Sequence, residues 1–245
     1  MNEIPNKVSP CPLLESNVEI RFEPNIPSEA VFGVIYQVFK NEFNDNLLKL
    51  PILQLPEHVR ISDPNLIYQP YYRLQKGNMV IQIGPKVLGI SNIPEYIGWS
   101  SFRSNINKYV SDIFDLKIFK QILRIGIRYV NFFDVDIFEH INLKFTMNDQ
   151  HISSKQTSLR TSIQTGKFET TLNIANNVQT IRRGTLATGS ILDIDTYIDN
   201  PVQNNFSDID VIINDAHNEE KKIFFKLLKS EFVTTKLNPT YGEQI

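Results

Sequence analysis

QILRIGIRYVNFF, residues 121–133, decides the fold. Apolar Leu123, Ile125, Ile127 and Tyr129 take the odd positions, and Arg124, Gly126 and Arg128 take even ones. A period of two is that of a β-strand with one face in a core and the other polar. The strand lies near mid-chain and divides the remaining elements into two groups.

Upstream, Val18, Ile20 and Phe22 alternate with Glu19, Arg21 and Glu23, which predicts a first strand over 18–23. Pro24 and Pro27 stop it and set up a helix. That helix is expected over 28–43, with Val31, Ile35, Val38, Phe39 and Phe43 as its apolar stripe. A loop holding Pro51, Pro56 and Pro64 follows. Residues 66–75 and 79–90 read as two strands joined by a tight turn at Gly77-Asn78, and Pro85 marks a bend or bulge in the second. Trp99, Phe102, Ile106, Tyr109, Val110 and Ile113 predict a second helix over 99–114. With 121–133 the order becomes β-α-β-β-α-β, the ferredoxin-like unit, in which first and last strands lie side by side and both helices cover one face.

Downstream, strands are expected over 141–147, 157–165, 168–175 and 186–198, with a hairpin turn at Gly166-Lys167 and an end at Asn200-Pro201. Ser207 followed by Asp210 has the form of a capping box and opens a long helix to about Glu231. Ile209, Ile212, Ile213, Ala216, Ile223, Phe224, Leu227 and Leu228 form its stripe. The predicted class is α+β: a ferredoxin-like N-terminal unit, then a strand-rich antiparallel second half closed by a long C-terminal helix. The predicted organisation is an extended arm over 1–17, the ferredoxin-like unit over 18–133, strands and helix packed on it over 134–232, and a loose tail over 233–245.

Apolar residues make up 41% of the 245 and charged residues 21%, a composition that folds rather than stays disordered. A formal net charge of -2 speaks against a generally basic, nucleic-acid-binding surface. Cys11 is the single cysteine, which gives no intramolecular disulfide and makes a reducing cytoplasm the default. No apolar run approaches the ~20 residues of a membrane helix, so no membrane is expected as partner.

The chemistry-bearing residues sit on strand faces. Arg124 and Arg128 share one face of the pivotal strand; Glu19, Arg21 and Glu23 share one face of the first; Asp193 and Asp195 share one face of the late strand with Tyr197. Neighbouring strands would gather these charges on one sheet surface. The ordinary reading is cross-strand ion pairing; the sharper one is a polar ligand site built on arginines. Arg182 and Arg183 in TIRRGT (180–185), near Arg160 and Lys167, form a second basic group in a predicted loop, suited to phosphate. Tyr68, Tyr71 and Tyr72 offer rings for base stacking but read more simply as strand packing. Paired aspartates at 193/195 and 134/136 lack further ligands at a defined spacing, and His58, His140, His151 and His217 fall in no metal-binding pattern, so neither metal nor cofactor is expected. Phosphate-loop, dinucleotide and nucleophile-elbow motifs do not occur. No catalytic residue is assigned.

Several short motifs recur in a characteristic order. Arg21-Phe22 precedes Pro24; Trp99 and Phe102 open a helix; RIGIRYVN spans 124–131; LDID spans 192–195; Ala216-His217 precedes Phe224 and Phe225. In that order they resemble a sporadically distributed family of prokaryotic proteins of unknown function, over nearly the whole chain. The resemblance implies no catalytic residues. By association it implies an accessory role, including toxin–antitoxin or phage-defence settings. The expected function is a non-enzymatic cytoplasmic binding module that engages another protein or its own copies. The alternatives are an RNA-binding or metal-independent RNA-processing protein, and a small-ligand sensor using the charged sheet face.

Overall fold

A computed structural model describes residues 4–43, 47–93, 95–144, 146–148, 150–151, 156–182, 184–202 and 206–242. In chain order the elements are β1 (Leu13–Pro24), α1 (Ser28–Phe39), β2 (Leu47–Lys49), a 3-10 turn (Pro51–Gln54), α2 (Glu57–Ser62), β3 (Tyr72–Lys76), β4 (Met79–Ile83), β5 (Val87–Asn92), α3 (Trp99–Phe114) and β6 (Phe119–Phe133). A second 3-10 turn (Ile137–Glu139) leads to β7 (Thr146–Met147), β8 (Gln150–His151), β9 (Ser158–Thr165), β10 (Phe168–Arg182), β11 (Thr185–Val202), α4 (Phe206–Leu227) and α5 (Ser230–Lys236). The class is α+β. Nine strands form one antiparallel sheet in the order β2-β3-β4-β5-β1-β6-β11-β10-β9, and β7 pairs with β8 apart from it. The chain divides into two compact units, Glu15–Arg128 with Tyr197–Ala216, and the remainder.

In the first unit the alternation of β1 is realised fully: Val18, Ile20 and Phe22 are 0% exposed. Val31, Ile35 and Phe39 of α1 and Phe102, Ile106, Tyr109, Val110 and Ile113 of α3 are buried. The two helices meet through rings, with Tyr109 5.4 Å from Phe39 and 5.8 Å from Phe43. Burial and the neighbouring Glu42 carboxylate push the Tyr109 hydroxyl up. Burial acts against the charged Glu42 too, but hydrogen bonds from Lys108 and Tyr109 outweigh it and hold this carboxyl below the usual range. Further along, Arg103 donates to both oxygens of Asp210 at 2.9 and 2.8 Å, which lowers the Asp210 pKa. Asp210 thus forms a bidentate pair between α3 and α4.

Two strand expectations change here, and with them the order of elements. Residues 66–71 are not strand: the Asp63 carbonyl takes the N–H groups of Leu66 and Ile67 at 2.9 and 3.1 Å, and its side chain takes that of Asn65. Flanking Pro64 and Pro70 cannot donate to a ladder, so β3 begins only at Tyr72. Residues 79–90 are two strands rather than one bent strand, with Pro85 in the reversal between β4 and β5. Gly84 permits that reversal, since a Cβ there would lie 2.6 Å from the Gln69 carbonyl oxygen. The plain β-α-β-β-α-β order is consequently not the observed one, because β2, α2 and β3 intervene. The adjacency of first and last strands does appear, as β1 beside β6. The predicted turns hold, with Lys76 opposite Met79 and Thr165 opposite Phe168.

In the second unit Leu172, Ile174, Leu192 and Ile194 face Phe224, Leu227 and Leu228 of α4 and Phe232 and Val233 of α5. Residues 141–147 form no continuous strand. Ile141 makes one bridge to Leu228, and the Asn142 side chain donates to the Lys226 and Leu228 carbonyls, capping the end of α4. The long helix stops at Leu227 and restarts at Ser230, because the Lys229 N–H turns to the His140 carbonyl at 2.8 Å. TIRRGT, expected as a loop, falls mostly in strands: Thr180, Ile181 and Arg182 end β10, Gly184 at φ +79° precedes β11, which opens at Thr185, and Arg183 lies outside the described residues. β11 runs past Asn200 to Val202, Pro201 falling at its end where a missing N–H costs least. The tail is anchored as far as Gly242: Leu237 is 3% exposed, Thr240 pairs with Lys7, and Asn6 donates to the Gly242 carbonyl.

Glu220 lies on the packed face of α4, between Ala216 and Phe224, and is 3% exposed. Burial raises its pKa well above the carboxylate range, with Lys221 opposing. A folded-state pKa above the unfolded one gives stability that is complete below the unfolded value and lost as pH rises through the folded one. Glu220→Gln is expected to raise stability at pH 7 by about 2 kcal/mol and to leave it unchanged near pH 4, measured as urea midpoints across that interval.

Candidate functional site

Arg124 is 7% exposed on β6. Its Nη1 donates to Glu19 Oε1 at 2.6 Å, and the same oxygen takes Arg21 Nε at 2.7 Å. The Arg124 guanidinium lies 4.1 Å from the Tyr197 ring, and its Nε is 3.7 Å from Asp199. Gly126 leaves room for this arrangement, because a Cβ there would stand 3.0 Å from Tyr197 Cβ and 3.2 Å from Arg124 Nη1. Arg21 also rests over the Tyr68 ring at 4.9 Å, and Glu23 takes Lys86 at 2.9 Å. Glu19, Arg21 and Arg124 are thus brought together as an ion-pair network, whereas Arg128 is exposed. In the other unit Asp193, 6% exposed, accepts from Asn173 at 3.1 Å, and Asp195 is half-buried.

Two of the histidines serve structure. His217 Nδ1 and the Tyr129 hydroxyl share a buried hydrogen bond of 2.8 Å. His140 stacks on Phe232 at 4.5 Å. His58 is exposed on α2, not in a loop, and His151 belongs to β8. Asp136 caps the turn after β6 and takes the Asn176 amide at 2.8 Å. Among the described residues no three His, Cys, Asp or Glu are grouped closely enough to hold a metal ion.

A concave site lies elsewhere in the first unit. A cleft of about 490 Å³ opens between the start of α1, the stretch from the first 3-10 turn through α2, and the β4–β5 turn. That size falls in the range of small-molecule and side-chain pockets, roughly 300–1,000 Å³. Its aromatic wall is built from two elements: Phe32 of α1 stacks on Tyr72 of β3 with centroids 3.7 Å apart, and Tyr36 continues the stack at 5.5 Å from Phe32. Tyr71 is covered by the Arg60 guanidinium at 4.7 Å, and Arg60 Nε donates to the Leu55 carbonyl at 3.1 Å. Leu53 and Ile67 complete the apolar lining, and Glu29 and Glu57 stand exposed along it. Ile61 of the lining is 62% exposed and nearby Leu55 41%, while Leu47 and Leu48 of β2 are 42% and 55% exposed.

Sequence reasoning places the stretch from Pro51 to Pro64 in a loop and the tyrosines in ordinary packing. The available signal was the count of leucine and isoleucine residues in so proline-broken a segment, too apolar for a solvated loop. No family model matches this chain, and no curated protein matches it either.

The Arg124 network can be tested by removing its carboxylate. Glu19→Ala removes the nearest carboxylate from a nearly dry guanidinium and is expected to cost about 2–3 kcal/mol, whereas Glu23→Ala, whose Lys86 partner can turn to water, should cost under about 1 kcal/mol. Urea denaturation of the two variants measures the difference.

Proposed function

We propose that the chain is a non-enzymatic binding module and that its docking site for a partner protein is the aromatic cleft of the first unit. The observation that carries this reading is the cleft itself: a ring stack on one wall, apolar residues opposite, and a rim where Ile61 remains 62% exposed. Interfaces concentrate their energy in aromatic anchors set in such pockets, and exposed apolar clusters of this kind mark contact surfaces. The charged strand residues support the same reading by a different route. Arg21, Arg124 and Glu19 are committed to one another, which leaves the sheet face less suited than the cleft to an incoming ligand.

We also read β6-β1-β5-β4, with α1 and α3, as a ferredoxin-like unit widened by β3 and β2 at one edge. The adjacency of β1 and β6, the hairpin pairing of β4 with β5, and the ring contacts of α1 with α3 support it. On that reading the insertion builds one side of the cleft, since the stretch from the first 3-10 turn to the start of β3 supplies about half of its lining.

The test uses a partner recovered from the native host with the immobilised chain. Ile61→Asp and Leu55→Asp change exposed side chains and should leave the fold intact by circular dichroism. Each is expected to weaken retention of that partner by about 10-fold, as loss of a rim contact worth about 1.4 kcal/mol would. Full retention by both variants, or a native protein that is always monomeric and unaccompanied, would overturn the reading.

A further inference from the structure

We infer that the cleft receives a cationic side chain, a lysine or arginine of the partner; this rests on the cleft being the docking site. The charges that line it are not equivalent. Lys86 is held by both oxygens of Glu23, at 2.9 and 3.1 Å. Arg60 is laid over Tyr71 with its Nε on a backbone carbonyl. Glu29 and Glu57 are exposed and have no hydrogen-bond or ion-pair partner among the described residues. With Lys86 paired to Glu23, the cleft holds two carboxylates, Glu29 and Glu57, against the Arg60 guanidinium, so the balance of charge along its aromatic lining is negative.

Rings beside carboxylates form the environment that a guanidinium or ammonium prefers. The ring face attracts the cation electrostatically, and the carboxylate takes its N–H donors. The same neighbourhood already holds two of the chain's own guanidinium groups on rings, Arg60 on Tyr71 at 4.7 Å and Arg21 on Tyr68 at 4.9 Å. Ile61 and Leu53 would flank the methylene stem of an incoming side chain, which long cations lay along apolar surface. A phosphate-bearing ligand meets the opposite situation, since Glu29 and Glu57 repel it and Lys86 is already paired with Glu23.

The experiment measures anisotropy of labelled oligo-arginine, oligo-lysine and oligo-glutamate peptides and of a labelled uridine oligomer with the full chain at low salt. Both basic peptides are expected to bind. The double variant Glu29→Gln/Glu57→Gln should weaken them by about 10-fold, and Tyr72→Leu by about 5-fold. A control with two exposed carboxylates of the other unit neutralised, Glu139→Gln/Glu231→Gln, should bind as wild type. No binding of the basic peptides, an equal loss in the control, or preferential binding of oligo-glutamate or RNA would overturn the inference. Its failure separates from that of the docking site itself. Partner retention lost in Ile61→Asp yet unchanged in Glu29→Gln/Glu57→Gln would keep the cleft and remove the cation.

Discussion

Burying the Arg124 guanidinium demands a carboxylate beside it, and the first unit is arranged around meeting that demand. Glu19 meets it from β1, the strand next to β6 in the sheet. A side chain of period two reaches its neighbour only in one register, so this contact and the apolar alternation of Val18, Ile20 and Phe22 specify the same pairing. A slip of one residue would turn Glu19 into the core and Ile20 out of it. Gly126 makes the contact possible by omitting a side chain where Tyr197 covers the guanidinium. Such a pair adds little net stability relative to a well-packed apolar one, but it penalises alternative registers heavily, because each of them leaves a dry charge without a partner.

That constraint shapes where ligands can act. Charges that balance one another across β1 and β6 present an incoming group with pairs already made, and opening them would cost more than a surface contact returns. The segment between α1 and β3 is under no such constraint. Proline at positions 51, 56, 64 and 70 denies it long regular structure, so it folds as a short 3-10 turn and the six-residue α2. Short helices bury only part of their apolar surface, which is why Leu55 and Ile61 remain exposed. The turn at Gly84 draws the β4–β5 reversal against Gln69 and closes the far side of the cleft.

How far the fold was legible depended on which faces were buried. The helix at 99–114 and the strand over 18–23 were readable because one face is apolar and the other polar, and both lie where their periodicity puts them. The break between β4 and β5 was not, because MVIQI and VLGISN are buried almost throughout, so neither has an alternation for a reversal to interrupt. Only Pro85 marked the place. The Arg124–Glu19 pairing was legible as a set of charges on strand faces, but its burial was not, since burial depends on Tyr197 from a distant strand. The cleft was illegible for the same reason: Phe32, Arg60, Tyr72 and Lys86 become neighbours only after the sheet forms. Glu220 escaped because a single acid within an apolar stripe has the same pattern as one at the stripe's border.

Glu29 and Glu57 outnumber Arg60 along the cleft because Lys86 is committed elsewhere, as other cations of the first unit are. Lys86 goes to Glu23, Lys108 and Lys76 to Glu42, Arg103 to Asp210, and Arg21 and Arg124 to Glu19. Each of these pairs joins separate elements except Arg21–Glu19, so reassigning a cation to the cleft would loosen a contact between elements. Glu29 and Glu57, each in the first turn of its helix, are placed where the helix dipole favours a carboxylate. They are stable there without a cationic partner and need not recruit one from the chain. A carboxylate stabilised by its own helix and left open to solvent beside stacked rings keeps its full charge available to an arriving cation, which is the property a recognition site requires and a structural ion pair has already lost.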